Sequence, residues 1–430
     1  MQDQFEIDEA FALKLDAKDP LADFRGRFHI PPGTIYLDGN SLGLPPKDAQ
    51  ISLLRIMDEW KTLAIDGWLK AERPWFYFVE ELGTMAAPLV GASADEVMAA
   101  GSTTVNIHSL VSTFYRPQDR RTKILADVIN FPSDIYALKG QIKLHGLDPN
   151  EHLVLVPSAD GKILDLEKIV ECMTDEIALA LLPSVLFRSG QLLDLEYLTA
   201  QAHKRNIPIG FDCSHSVGAV PHRFDDWDVD FALWCSYKYL NGGPGSTAFL
   251  YVNKKHFDRE PLLSGWFGCD KQKQFDMSLD FIPAPHAGRW QISSPHILSS
   301  APLEASLKIT LEAGIDRIRD KSLRLTSYMI YLVDNILAPA PYNFKIGTPR
   351  EPNCRGGHIA LERDETAWGI CGALKNQGVV PDFRPPNMIR LAPVALYNTY
   401  HEVWRTIGLI KKIVDKKLYL PFQNKKSEIT

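Results

Sequence analysis

Residues 207–246 read IPIGFDCSHSVGAVPHRFDDWDVDFALWCSYKYLNGGPGS, and this stretch decides the fold. It opens on a short apolar run, 207–211, of the length of a buried strand, and the run ends on an acid, Asp212. A second apolar run, 229–235, ends on Ser236-Tyr237-Lys238, and a glycine turn, Asn241-Gly242-Gly243-Pro244-Gly245, follows. Two neighbouring strands, one ending on Asp and one on Lys, can aim both side chains into one crevice. In α/β sheets that crevice lies beyond the carboxyl ends of the strands. A lysine with a buried acid opposite suits pyridoxal phosphate (PLP). The amine forms the Schiff base, and the carboxylate keeps the pyridine nitrogen protonated so that the ring can act as an electron sink.

Residue type alone argues the other way. Most lysines are solvated surface groups, and Asp at a strand end is often a helix cap. Three features favour a catalytic Lys238. It follows an apolar run and so starts from the interior, a tyrosine precedes it, and the glycines after it permit close backbone approach.

Working outward, the chain has 430 residues, enough for two or three domains, with 45% apolar and 23% charged residues, as in a globular protein with a large core. The net charge is −6 and no basic tract dominates, which gives nucleic-acid binding no electrostatic support. No apolar run reaches the roughly 18 residues that span a membrane. The N-terminus is acidic and lacks a secretory pattern. Six cysteines, none in a C-x-x-C pair, argue against zinc or dithiol chemistry and for a reduced, cytoplasmic protein with several cysteines in the core.

The remaining elements follow in order. Residues 3–16 form an amphipathic helix. A brief strand, 35–37, leads into the loop Asp38-Gly39-Asn40-Ser41-Leu42-Gly43-Leu44-Pro45-Pro46, whose small and polar residues favour a ligand-facing loop over a merely solvated one. Helices are expected over 46–60, with a continuation towards Trp68, and over 77–90, then a strand over 97–100. Gly101-Ser102-Thr103-Thr104 opens a helix over 105–115; a hydroxyl-rich turn there presents free N–H groups and a positive dipole end, which suits an anion, and also suits simple N-capping. Strands over 123–128, 152–157, 177–182 and 207–211 alternate with helices over 133–145, 165–173 and 194–204, the rhythm of a mostly parallel, doubly wound sheet. A long interrupted helix, 301–336, bridges to a small α/β part with strands near 357–361, 379–381 and 388–391 and helices near 365–377 and 400–417. The polar end, 416–430, is expected to fray.

The motifs in this order resemble kynureninase, a PLP enzyme family of the aspartate-aminotransferase fold (fold type I). They are Gly39-Asn40-Ser41-Leu42-Gly43-Leu44, Arg73-Pro74-Trp75, Thr104-Val105-Asn106-Ile107-His108, Phe131-Pro132-Ser133-Asp134, Asp212-Cys213-Ser214-His215, Tyr237-Lys238-Tyr239-Leu240-Asn241-Gly242-Gly243, Gly265-Trp266-Phe267-Gly268 and Arg390-Leu391-Ala392-Pro393. The resemblance runs over most of the chain. It implies an α/β fold with a large domain built on a mostly parallel seven-stranded sheet and a smaller C-terminal α/β domain. The division expected is 1–60 as a helical segment contributing to the small domain, 61–310 as the PLP-binding domain and 311–430 as the small domain.

The resemblance also implies roles. Lys238 matches the Schiff-base lysine and Asp212 the acid on the pyridine nitrogen. Phe131 would stack on the ring with Asp134 close by. Thr103, Thr104 and Tyr237 would hold the phosphate, with His215 nearby. Trp266 and Ser294 match positions that reach the cofactor from a partner subunit, which implies a homodimer. Arg390 matches the arginine that grips the substrate's α-carboxylate, where a bidentate fork serves better than a lysine; Trp68, Asn40 and Ser41 complete the substrate side. The implied reaction is hydrolytic Cβ–Cγ cleavage of L-kynurenine, or of its 3-hydroxy form, to anthranilate (or 3-hydroxyanthranilate) and L-alanine, with Lys238 as base and Tyr237 as a proton donor beside the cofactor. Two positions depart from the pattern. Relatives carry Asn or Thr at Ser294, and animal relatives carry His at Trp68. A Trp stacks on an aryl ring but offers only an N–H donor, which points to plain L-kynurenine as the preferred substrate. Residues 182–190 follow the pattern poorly and give Ser184 no firm role. His108, His286 and His358 read as ordinary core or surface histidines.

The rivals are sister activities. A cysteine desulfurase needs a mobile nucleophilic cysteine near the C-terminal arginine, and 378–393 has none. An aminotransferase shares most cofactor residues and is separated only by its substrate. A non-catalytic PLP-fold sensor or assembly partner has no need of Lys238, Asp212 and Arg390 together.

Overall fold

The computed structural model describes residues 5–423. The expected polar end beyond 423 and the first two residues of the 3–16 helix lie outside it. The strands in chain order are β1 Ile35–Tyr36, β2 Val97–Ala99, β3 Lys123–Asp127, β4 Leu153–Val156, β5 Ile177–Pro183, β6 Ile209–Asp212, β7 Phe231–Trp234, β8 Phe249–Val252, β9 Lys345–Ile346, β10 Ile359–Glu362, β11 Val379–Val380, β12 Asp382–Arg384 and β13 Met388–Leu391.

Seven of them form one sheet in the order β2-β8-β7-β6-β5-β3-β4. From β4 to β7 every neighbour is parallel, and β8 alone runs against the rest. Every residue of β5, β7 and β8 is buried. That explains their continuous apolar runs, since a sheet covered by helices on both faces has no polar side. The crossover helices follow as the alternation predicts: Thr103–Phe114, Pro132–Leu144, Leu166–Glu171 and Leu195–His203. Asp165 and Asp194 cap the last two, accepting from the N–H of Glu167 and Tyr197.

The expected helix over 301–336 is two helices, Ile297–Ala313 and Ile315–Leu332, followed by a wider turn, Val333–Leu337. Gly314, at φ +80°, makes the break. The first helix lies on Lys47–Leu63 and Trp75–Val90, beside the large sheet; the second lies on Tyr400–Asp415. The helix from Lys47 ends at Leu63, where Ala64 turns to positive φ, and Trp68 sits in a separate short helix, Gly67–Lys70.

The second body is a four-stranded antiparallel sheet, β12-β13-β10-β9, with helices Ala367–Asn376 and Tyr400–Asp415. Residues 5–60 divide between the bodies. Helix Glu9–Asp16 packs on Tyr400–Asp415 and β1 pairs with β11, whereas Lys47–Leu63 packs on Ile297–Ala313. Among the described residues, the strands β8, β9 and β12 are those the sequence reading did not anticipate.

Candidate active site

The crevice lies at the carboxyl ends of β5, β6 and β7. Asp212 closes β6, and Lys238 stands four residues beyond the end of β7. Three backbone bonds fix the turn that carries the lysine. Asn241 N–H donates to the Lys238 carbonyl at 2.9 Å, Gly242 N–H to that of Ser236 at 2.9 Å, and Gly43 N–H to that of Tyr237 at 2.7 Å. The last bond comes from the 38–44 loop. A Cβ on Gly43 would stand 2.4 Å from the Lys238 carbonyl oxygen, so only glycine lets this loop close on the lysine.

Lys238 Nζ lies 3.0 Å from His215 Nε2. The imidazole is 8% exposed, and burial, with the Lys238 and Arg390 charges next, holds it far below its ordinary pKa and therefore neutral. Asp134, 1% exposed, faces Asp212. Burial first, then the neighbouring Asp212 carboxylate, pushes the Asp134 carboxyl well above the usual range, so Asp134 keeps its proton and shares it with Asp212. Asp212 also accepts from Ser214 N–H at 2.7 Å. Phe131 stands at the mouth, its ring centroid 6.0 Å from Nζ and 5.3 Å edge-on from the Phe187 ring. The Tyr237 ring is 5.8 Å from Nζ, and burial, with the Cys235 thiol beside it, keeps its hydroxyl protonated.

Arg390 enters from the second body. On β13 it faces Ala360 of β10 on one side and Asp382 of β12 on the other. Its guanidinium is 1% exposed. Nε donates to Asp382 at 2.5 Å, Nη1 to the Phe187 carbonyl at 2.6 Å, and Nη2 to Ser41 Oγ at 3.0 Å and to Asp382. Asn40 is fully buried and its amide has no protein partner. Burial, and then Asp382, pushes the Asp38 carboxyl up to about 6.

The structure thus brings Lys238, Asp212, Asp134, His215, Phe131 and Tyr237 together, with Arg390 and Ser41 at the junction of the bodies. Thr103 and Thr104 form the first turn of helix Thr103–Phe114. Beside that turn an open cleft is lined by Gly101, Ser102, Thr247 and Ser294. Trp266 and Trp68 stand away from the Lys238 crevice. Trp266, 42% exposed, lines a separate groove with Leu279 and Phe281. Trp68 packs against Trp75 and Phe267, at centroid distances of 6.0 and 5.8 Å, in a groove that ends on Pro295 beside Ser294.

Sequence reasoning missed Asp382. Asp382 gains its place only from pairing with Arg390 across β12 and β13, which residue spacing does not show. Ser184, given no firm role, donates to the Asp212 carbonyl at 3.2 Å and lies 2.7 Å from Ser216 Oγ, bracing the strand end that carries the acid.

These residues fit PLP. There is one amine, an acid pair that holds a proton, an aromatic face 45% exposed at the mouth, and a helix N-terminus rich in hydroxyls.

Comparison with known proteins agrees. The aminotransferase class-V family model matches residues 36–354, and the kynureninase C-terminal domain model matches 318–410. Among solved structures, a cysteine desulfurase from Thermococcus onnurineus superposes with a TM-score of 0.77 over 92% of this chain and 98% of that one, at 19% identity. A C-DES variant with glycine covalently linked to its PLP cofactor gives the same score over 90% and 98%, at 15% identity. The fold is therefore that of the class-V aminotransferases. Kynureninase from Geobacillus thermodenitrificans is 56% identical over 97% of both chains, and kynureninase from Bacillus cereus is 56% identical over 100% of this chain and 99% of its own. The chain belongs to the kynureninase family.

Proposed function

We propose that this chain hydrolyses the Cβ–Cγ bond of L-kynurenine, giving anthranilate and L-alanine, a step of tryptophan degradation, with PLP as cofactor. The observation that carries the assignment of residues is the convergence of Lys238, the Asp134–Asp212 pair and Arg390 on one crevice. The relatives, 56% identical over 97% and 99% of their own length, supply the reaction.

When bound, PLP supplies an electron sink that acidifies the substrate's Cα–H and lets the Cβ–Cγ bond break. Lys238 would hold it covalently, and its Nζ would serve as the base for the substrate's Cα proton. Asp212 would keep the ring nitrogen protonated, and the Asp134 proton would prevent a second negative charge from building beside it. Phe131 would cover the ring face. Thr103, Thr104 and Tyr237 hold the phosphate, and Trp266 and Ser294 of a second copy close the site. Arg390 orients the substrate through its α-carboxylate, and Asp382 fixes the guanidinium plane. Asn40 and Ser41 line the same side. Trp68 stacks on the aryl ring, so kcat/KM for L-kynurenine exceeds that for 3-hydroxy-L-kynurenine; the reverse ranking would remove Trp68 from substrate selection.

A homodimer is supported by an apolar stripe on helix Lys47–Leu63. Ile51, Leu54, Met57 and Trp60 are 67%, 58%, 43% and 55% exposed, and Ile65 and Leu69 extend the stripe. A contiguous apolar face of this kind marks an interface, and the Trp68 groove beside it leads to Ser294. Six cysteines without a disulfide among them suit a reducing compartment such as the cytoplasm. No described helix is long and apolar enough to cross a membrane.

The test is anthranilate fluorescence after L-kynurenine is added to the PLP-loaded protein, with Lys238→Ala as control. Fluorescence growing only with the unmutated chain establishes the reaction. A bound-PLP absorption band without anthranilate would move the chain to a sister activity such as transamination.

A further inference from the structure

A lysine is buried on a loop that is otherwise open to solvent. The Lys271 side chain is 11% exposed, while Phe275, Met277 and Leu279 on the same loop are largely exposed. Lysine is rarely buried unless it is paired. Here Nζ donates to Glu80 Oε2 at 2.6 Å and to the Phe76 carbonyl. It stands 4.6 Å from the ring centroids of Phe76 and Tyr77 and 5.8 Å from that of Phe267. Burial lowers the pKa of this amine, and the Glu80 carboxylate opposes the shift. A desolvated ammonium between a carboxylate and aromatic faces is a strong local anchor. Phe76, Tyr77 and Glu80 all lie on helix Trp75–Val90, so the contact ties the loop to that helix.

The same loop carries Trp266. Its root is fixed by close packing: a Cβ on Gly265 would stand 1.6 Å from the Ile292 carbonyl oxygen, and one on Gly268 2.6 Å from that of Gln291. Asp270 N–H donates to the Ile282 carbonyl at 2.8 Å and closes the loop. Lys271 follows directly. One turn further on, Gln274 Nε2 donates to the Trp266 carbonyl at 2.8 Å, and the Phe275 ring meets the indole edge-on at 5.9 Å. The Phe275 ring also lies 6.0 Å from that of Phe76. Gln274 and Phe275 thus reach Trp266 from a turn that Lys271 pins to the helix. Apolar burial beyond Phe267 contributes little to the pinning, because the apolar side chains of the turn face solvent.

We propose that Lys271 is a positioning residue for Trp266: it clamps the 270–276 turn to Glu80 and the Phe76–Tyr77 pair, so that the indole is presented at a fixed place to a second copy of the chain. The inference rests on the proposed reading in which Trp266 completes the cofactor site of that second copy. Without the clamp the loop samples other positions. A site whose competent arrangement is only partly populated binds its ligand more weakly by that fraction.

The test uses two variants of the full chain. Lys271→Met keeps the apolar stem and removes the ammonium; Lys271→Met/Glu80→Gln also removes the acid left behind. Hydrogen–deuterium exchange of the protein freed of PLP should show the Asp270, Lys273 and Asp276 amides losing most of their protection in both variants, with the β6 amides unchanged. The dissociation constant for PLP, read by absorbance titration, should rise about 3- to 10-fold in both. In a Trp266→Phe background, Lys271→Met should change that constant by less than about 1.5-fold, because no indole is left to place. Protection retained in both variants would overturn the clamp. So would an equal loss of PLP affinity with and without the indole. Trp266→Phe alone leaving PLP affinity unchanged would overturn the reading of Trp266 as a cofactor residue; lost protection at 270–276 in Lys271→Met would then still establish the clamp itself.

Discussion

Two buried acids flank one sheet at opposite ends, Asp230 just before strand β7 and Asp134 in the first turn of helix Pro132–Leu144. Asp230, just before β7 and 3% exposed, accepts from Ile209 N–H at 2.8 Å, His203 Nε2 at 2.9 Å, His256 Nε2 at 2.7 Å and Lys255 Nζ at 3.0 Å. Burial alone would raise its pKa, but the His203 and His256 bonds and the Lys255 charge hold it far below the usual carboxylate range. Asp134, beyond the other end, faces a second acid and is held protonated. The difference teaches what to look for. An acid ringed by donors locks the fold, whereas an acid set against another acid, beside a lysine and an unpartnered imidazole, costs stability and does chemistry.

The sharpest break of the comparison is at Lys238. Lys238→Ala should lower kcat by at least about 10³-fold while the far end of the sheet is untouched. Stopped turnover with an unchanged thermal unfolding midpoint is the expected pair of results; a melted protein would make the lysine structural. Arg390→Lys comes next, with kcat/KM down about 10²-fold and carried mainly by KM, because an ammonium cannot replace a guanidinium fork held by Asp382. A KM unchanged from the parent would take Arg390 out of carboxylate binding.

Tyr237→Phe should cost about 10- to 100-fold in kcat with PLP still bound. Near-normal turnover would confine the hydroxyl to structure. Asp134→Asn separates the ends most finely. Its raised pKa means the carboxyl favours folding at low pH, and that contribution is lost as pH rises through the folded value. At neutral pH the acid is therefore a burden. The Asn variant should raise the melting temperature of the cofactor-free protein by about 1–2 °C at pH 7 while lowering kcat about tenfold. A lower melting temperature would show that Asp134 is as well satisfied as Asp230.

The smallest effect on activity belongs to Asp230→Asn, within about twofold. Its effect is on stability, about 2–4 kcal/mol lost at pH 7. The sign follows from the lowered pKa: the stabilisation is present above the unfolded carboxylate range and disappears as pH falls through the folded value. The parent should thus lose stability below about pH 4 more steeply than the variant. Parallel acid-unfolding curves would contradict this reading of Asp230.

The parts of the fold that were legible share one property. Parallel strands buried on both faces leave continuous apolar runs, and the acid or lysine that ends such a run is conspicuous, as at Asp212 and Lys238. β8 was missed because Phe249–Val252 is too short for periodicity to tell strand from helix, and it follows a turn already read as the end of the motif. Asp382 was illegible for another reason. It gains its meaning from strand register in the second body, where Ala360 and Asp382 flank Arg390, and register between short antiparallel strands is not written in spacing. Trp68, Trp266 and Ser294 were singled out by resemblance, and a single chain does not bring them to Lys238.

The central claim is that the crevice at the end of β6 and β7 holds PLP on Lys238. The most direct measurement is borohydride reduction of the PLP-loaded protein, followed by peptide mass spectrometry. The account predicts one phosphopyridoxyl group, on the peptide containing Lys238, and none in Lys238→Ala. A label on another lysine, or an equal label in the variant, would contradict it.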